Sequence, residues 1–158
     1  MPGIRQRSSR PSLMGYGIAA LSLIFLLIVG NVQTRDASRL VHQNIQVNAN
    51  LLAADILRLA SAVNDWRYTH QLAEGPLVTG QFGMLPATDS RIQAAIQGGR
   101  LWLWSVDRPG LVDSLHRQSA GSALVCTVSG GRLKMSDGTD MNLLLPAGVA
   151  EGNVVYLN

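Results

Sequence analysis

Leu101-Trp-Leu-Trp-Ser-Val106 reads as a β-strand that is apolar on both faces, which places it in the middle of a sheet. Trp102 and Trp104 alternate onto one face, Leu101 and Leu103 onto the other. A two-sided strand in a small domain needs a cover. The long apolar surface available is a helical stretch upstream that ends at Val63 and Trp66, so at least one of the two tryptophans is expected to pack against it.

Working outward, Pro109 opens a short helix with Leu111, Val112 and Leu115 on one face and His116 and Arg117 in its last turn, where positive charge suits the helix dipole. Residues 123–128 and 132–135 flank Ser-Gly-Gly and read as a β-hairpin, because glycine supplies the positive φ of a tight turn. Leu133 and Met135 should point inward. Two further strands are expected at Met141–Leu145 and Asn153–Leu157. Upstream, Thr88 or Asp89 caps a second short helix whose Ile92, Ala95 and Ile96 face one way, and Gly98-Gly99 stops it. The whole is an antiparallel sheet of four or five strands with two short helices, an α+β domain.

Further toward the N-terminus, Val41, Ile45, Ala49, Leu52, Ile56, Leu59, Val63 and Trp66 recur at steps of four and three, one stripe along a helix. No proline falls between Ser12 and Glu74, so span and stripe can form one long helix, with Gly30-Asn31 as the natural place for a bend. The stripe either packs on the chain's own domain or pairs with another chain. Leu52, Ile56, Leu59 and Val63 are the candidate partner-contact residues. Glu74-Gly75-Pro76 ends the helical pattern and a Gly- and Pro-punctuated region runs on to Pro86, which places the junction at about residues 72–86.

Between Arg10 and Arg35 no residue is charged, and the 20 residues Leu13 to Val32 match the roughly 30 Å hydrocarbon core of a bilayer at the helical rise. An uncleaved transmembrane helix is expected, since no small-x-small cleavage site follows Val29. Three arginines precede it, whereas Arg35, Asp36 and Arg39 after it nearly balance. By the positive-inside rule the N-terminus is cytoplasmic and the rest periplasmic in a bacterium. The expected organisation is a basic cytoplasmic tail at 1–12, a transmembrane helix at 13–32, a helical stalk at 33–71 and a small α+β periplasmic domain at 72–158.

Charge and composition exclude more than they name. The 158 residues leave no room for a large enzyme fold. The net charge of +3 resides in Arg5, Arg7 and Arg10, and the remaining charges cancel, so no basic face for nucleic acid is indicated. The single Cys126 precludes an intramolecular disulfide and falls inside a strand, where a thiol acts as a small apolar group. His42, His70 and His116 lack metal-binding spacing. No G-x-S-x-G, H-E-x-x-H, C-x-x-C or phosphate loop occurs, so no catalytic residue, cofactor, metal or small-molecule substrate is expected.

Several motifs carry a resemblance: Asn64-Asp-Trp-Arg-Tyr-Thr69, Gly99-Arg-Leu-Trp-Leu-Trp104, the run at 108–115, Leu145-Pro-Ala-Gly-Val149, and Gly152-Asn-Val-Val-Tyr156. Together with the basic N-terminus and single span they resemble the short, membrane-anchored PilM proteins of plasmid and pathogenicity-island type IVB pilus systems, a family distinct from the actin-like cytoplasmic protein of that name. The resemblance implies a non-enzymatic inner-membrane component of pilus biogenesis in conjugation or adhesion. Its partners would be other pilus-assembly proteins or pilins, with the bilayer engaged through one helix. The same plan is pilin-like, which makes a processed minor pilin an alternative, although no processing glycine and following acid precede the apolar run. A membrane-anchored envelope enzyme is a third class.

Overall fold

The computed structural model describes the fold of residues 13–158, with side chains described at 20–27 and from 39 onward. In chain order it holds α1 (Leu13–Thr69), β1 (Gly75–Pro76), a 3-10 turn at Thr79–Phe82, β2 (Gln93–Gln97), β3 (Arg100–Val106), α2 (Leu111–Gln118), β4 (Val125–Ser129), β5 (Arg132–Met135) and β6 (Asn153–Leu157). The chain divides into two units, Met1–His42 and Gln43–Asn158.

In the first unit the described side chains are exposed, among them Leu21, Leu23, Ile24, Phe25, Leu26 and Leu27. Among the described residues no helix is long and apolar enough to cross a membrane. The expected tail at 1–12, and the side chains of the expected span at 13–19 and 28–32, lie outside the described residues.

The second unit is a six-stranded antiparallel sheet in the order β1-β2-β3-β6-β4-β5, with the C-terminal part of α1 on one face. β3 is interior, as its two-sided apolarity requires, and β6 pairs with it from Trp102↔Leu157 to Val106↔Asn153. One core layer joins Leu52, Ile56, Leu59 and Val63 of α1 to Leu101 and Leu103 of β3, Ala94 and Ile96 of β2, Val125 and Val154. Leu111 and Leu115 of α2 complete it. Each of the leucine, isoleucine and valine side chains contributes roughly 1.5–3 kcal/mol relative to exposure.

The opposite sheet face carries Ala95, Trp102, Trp104, Cys126, Val128, Leu133, Val155 and Leu157. The tryptophans therefore do not pack against α1, contrary to expectation. Strand alternation sends Leu101 and Leu103 toward the helix and leaves the indoles to the other side. Their cover is the segment expected as a strand at Met141–Leu145. It alternates Met141, Leu143 and Leu145 inward but is not a strand, apart from a single bridge between Lys134 and Asp140 just before it. Trp102 Nε1 donates to Gln97 O and Trp104 Nε1 to Gly148 O, each at 3.1 Å.

The second expected short helix is also absent. Residues 93–97 form β2, buried at Ala94, Ala95 and Ile96 and thus on both faces, a pattern no one-sided helix satisfies. Gly98-Gly99 is the β2–β3 turn (φ +61° and +70°), matching Gly130-Gly131 between β4 and β5 (φ +63° and +68°). β1 was not expected. Both sheet edges are closed: Pro76 offers no donor on β1, while on β5 Met135 N–H donates to Thr139 O and Met141 N–H to Leu133 O, both at 2.9 Å.

Candidate interaction surface

From Gln43 onward α1 has a core face and an outer face. Leu52, Ile56, Leu59 and Val63, the candidate contact residues, are all at most 1% exposed and sit under the sheet. The domain itself covers the stripe at these positions, so the folded chain has no surface there to offer a partner. Ile45, on the same stripe, is 38% exposed.

The outer face is exposed at Asn44, Val47, Asn48 and Leu51. Lower down, the 82–85 loop passes beside it and leaves an open cleft of about 670 Å³ between Ala54, Leu57, Ser61 and Asp65 of α1, the loop, and Gln118 of α2. Arg58 holds the loop in place: its guanidinium pairs with Asp55 at 2.8 Å and donates to Leu85 O at 3.4 Å and Pro86 O at 3.3 Å. The Leu85–Pro86 peptide is cis.

On the other flank α2 is docked by polar contacts around Ser114, which is fully buried. Its hydroxyl lies 2.8 Å from Asn50 Oδ1 and 2.7 Å from Gly110 O and accepts from Gln46 Nε2 at 3.2 Å. Arg117 donates to Asn50 Oδ1 at 3.3 Å, and Gln118 to Asn50 O at 3.0 Å. Serine is small enough for the helices to approach closely here, and every polar atom it brings is matched.

The titratable groups singled out in the sequence are dispersed. His42 is exposed on α1. His70 stacks on Trp66 with ring centroids 4.1 Å apart, and Phe82 meets the same indole edge-on. His116 Nε2 and Ser119 Oγ are buried without a hydrogen-bond partner among the described residues. Cys126 is buried beside Met141, and burial pushes its thiol up to about 11, which disfavours the thiolate. Among the described residues no group of three or more His, Cys, Asp or Glu side chains is placed to hold a metal ion.

Two glutamates were not anticipated. Glu74 accepts the N–H groups of Gly98 and Gly99, both at 2.9 Å, and Glu151 those of Gly130 and Gly131, both at 3.0 Å. Each Gly-Gly turn thus presents two adjacent amides to one carboxylate. The glycine doublets are visible in the sequence, but the acids lie some twenty residues away with no local mark.

This architecture defines a small α+β domain built on the C-terminal part of a long helix, with its exposed apolar side chains concentrated on the helix and its loops. The chain belongs to the PilM family of the type IVB pilus kind, whose model matches residues 24–157, as its motifs suggested. A crystal structure of an Escherichia coli B7A protein given the PilM name is similar at 33% sequence identity and a TM-score of 0.60, covering 71% of this chain and 92% of that one. No curated protein matches the chain.

Proposed function

We propose that this protein is a non-enzymatic component of type IVB pilus biogenesis, held in the bacterial inner membrane by residues 13–32 with its α+β domain in the periplasm. Family membership across residues 24–157 carries the pilus assignment. The anchor is supported by the charge-free sequence between Arg10 and Arg35 and by the exposure of Leu21 and of Leu23 through Leu27, an arrangement costly in water and favourable in lipid. Action through protein contacts is supported by where the reactive side chains lie: His70 is engaged by Trp66, and the Cys126 thiol is buried with its ionisation suppressed.

Alkaline phosphatase fusions test the topology. Activity is expected after Asn158 and not after residue 10, and the reverse pattern would overturn the orientation. The intact mass of the membrane-extracted protein tests retention. Loss of the first 14 or 15 residues, with recovery in sheared fibres, would replace this reading with that of a processed minor pilin.

A further inference from the structure

We propose that the outer face of α1 is a homotypic docking surface, against which a second copy of this chain packs in parallel through Asn44, Val47, Leu51 and Ala54. Three observations converge on it. First, Asn44 and Leu51 are seven residues apart, as are Val47 and Ala54, and the two pairs are offset by three. That is the a/d spacing of a coiled-coil seam, and it lies off the core face occupied by Leu52, Ile56, Leu59 and Val63. Second, the seam is open over its first three positions: Val47 is 54% and Leu51 62% exposed, and Asn44 is exposed, while Ala54 is half-buried beside the 82–85 loop. Third, from Gln43 through Ala54 no residue of α1 carries a formal charge, and the Arg117 guanidinium of α2 is held at Asn50, outside the four seam positions. A helix face left to solvent is normally charged, whereas the centre of an interface is depleted of charge.

These features select the occupant. Uncharged seam positions exert no pull on a charged partner, but a like copy meets them without repulsion. An isologous pairing requires each position to tolerate its own counterpart. Valine, leucine and alanine do so by packing, and Asn44 does so by amide-to-amide hydrogen bonding, the device by which an asparagine at an a position fixes parallel register and a two-stranded state. The next a position is Arg58, which is tied to Asp55 and to the carbonyls of Leu85 and Pro86, so the seam ends where the 82–85 loop reaches the helix.

The seam is short, about 15 Å at the helical rise, well below the ~800 Å² per partner of a standard stable interface. Free chains should therefore pair weakly. Chains held in one membrane are concentrated and co-oriented, and this part of the inference rests on the anchor proposed above.

Cysteine crosslinking of the full chain in membranes tests it, with the buried Cys126 as the built-in unreactive background. Under mild oxidation Val47→Cys and Leu51→Cys should each give a disulfide-linked dimer, and Val106→Cys, on β3 and 65% exposed, should not. Leu51→Lys should abolish the dimer band of Val47→Cys while leaving the melting temperature close to that of the parent. Absence of a dimer at both seam positions, or equal crosslinking at Val106→Cys, overturns the proposal. If fractionation finds the chain outside the membrane, the anchor fails separately, and crosslinking of the concentrated soluble chain then decides the seam by the same comparison.

Discussion

Gly148 lies against the ring of Trp104: its carbonyl accepts the indole N–H at 3.1 Å, and a Cβ added there would stand 3.3 Å from Cζ2. With φ at +94°, a side chain at this position is strained by backbone conformation and tight against Trp104. The contact pins the segment between β5 and β6 across the tryptophan face of the sheet.

Gly148→Ala should accordingly destabilise the domain by about 1–3 kcal/mol, combining backbone strain with overpacking. Gly98→Ala, in the left-handed region at φ +61° but with open space around it, should cost less. Urea unfolding of the two variants in parallel measures the difference, and equal losses would mean that Trp104 yields freely.

Trp104→Ala removes a buried ring and its hydrogen bond, and should cost on the order of 3–5 kcal/mol. In single-tryptophan variants of the detergent-solubilised chain, Trp102 and Trp104 should both resist iodide quenching, being 2% and 4% exposed. Ready quenching of either would show that the 136–152 segment lifts from the sheet.

Ile56→Asp should unfold the domain itself, since a carboxylate would enter a core position that is 1% exposed, at a cost on the order of 4 kcal/mol or more. Loss of pili in that variant should coincide with loss of folded protein. A folded and abundant Ile56→Asp protein that fails in assembly would return a contact role to this stripe.

Acid should weaken the fold in a defined window. Asp89, hydrogen-bonded by the Arg91 guanidinium, is lowered from 3.8 to about 2, and the amides of Gly131 and Gly130 lower Glu151 below its ordinary 4.5. A carboxyl whose pKa is depressed by folding contributes stability that is fully present above its unfolded pKa and is lost as the pH falls through the folded one. Unfolding free energy should thus be level above about pH 5 and decline below it, from 4.5 downward for Glu151 and from 3.8 toward about 2 for Asp89. Asp89→Asn and Glu151→Gln should each flatten that decline in urea titrations at several pH values. An unchanged slope would show the contacts to be energetically silent.

Signals confined to a few neighbouring residues were legible in the sequence. Gly130-Gly131 between alternating runs marked the β4–β5 hairpin, Pro109 marked the start of α2, and the apolar Leu101–Trp104 run marked an interior strand. Ile92, Ala95 and Ile96 misled because their spacing of three and four fits a helix as well as a strand buried on both faces. The glycine doublet after them, identical to the one at 130, was the better guide. Met141–Leu145 shows strand alternation because it lies flat on the sheet, but its backbone lacks a neighbouring strand to complete a ladder. Whether α1's stripe faced its own sheet or a partner was undecidable locally, because Leu103 and Val154, which bury it, lie far along the chain.

The sixth strand, β6, stands third from one edge of the sheet, between β3 and β4. Until residues 153–157 have been synthesised, β1-β2-β3 and β4-β5 are two separate ribbons, each with an apolar edge waiting for the same missing neighbour. Trp102 must find Leu157 across more than fifty intervening residues, a non-local pairing of the kind that slows folding and leaves strand edges open to aggregation. A nascent chain of this protein is therefore expected to need protection until β6 arrives, and a ribosome stalled before Asn153 would hold a product that cannot close its sheet.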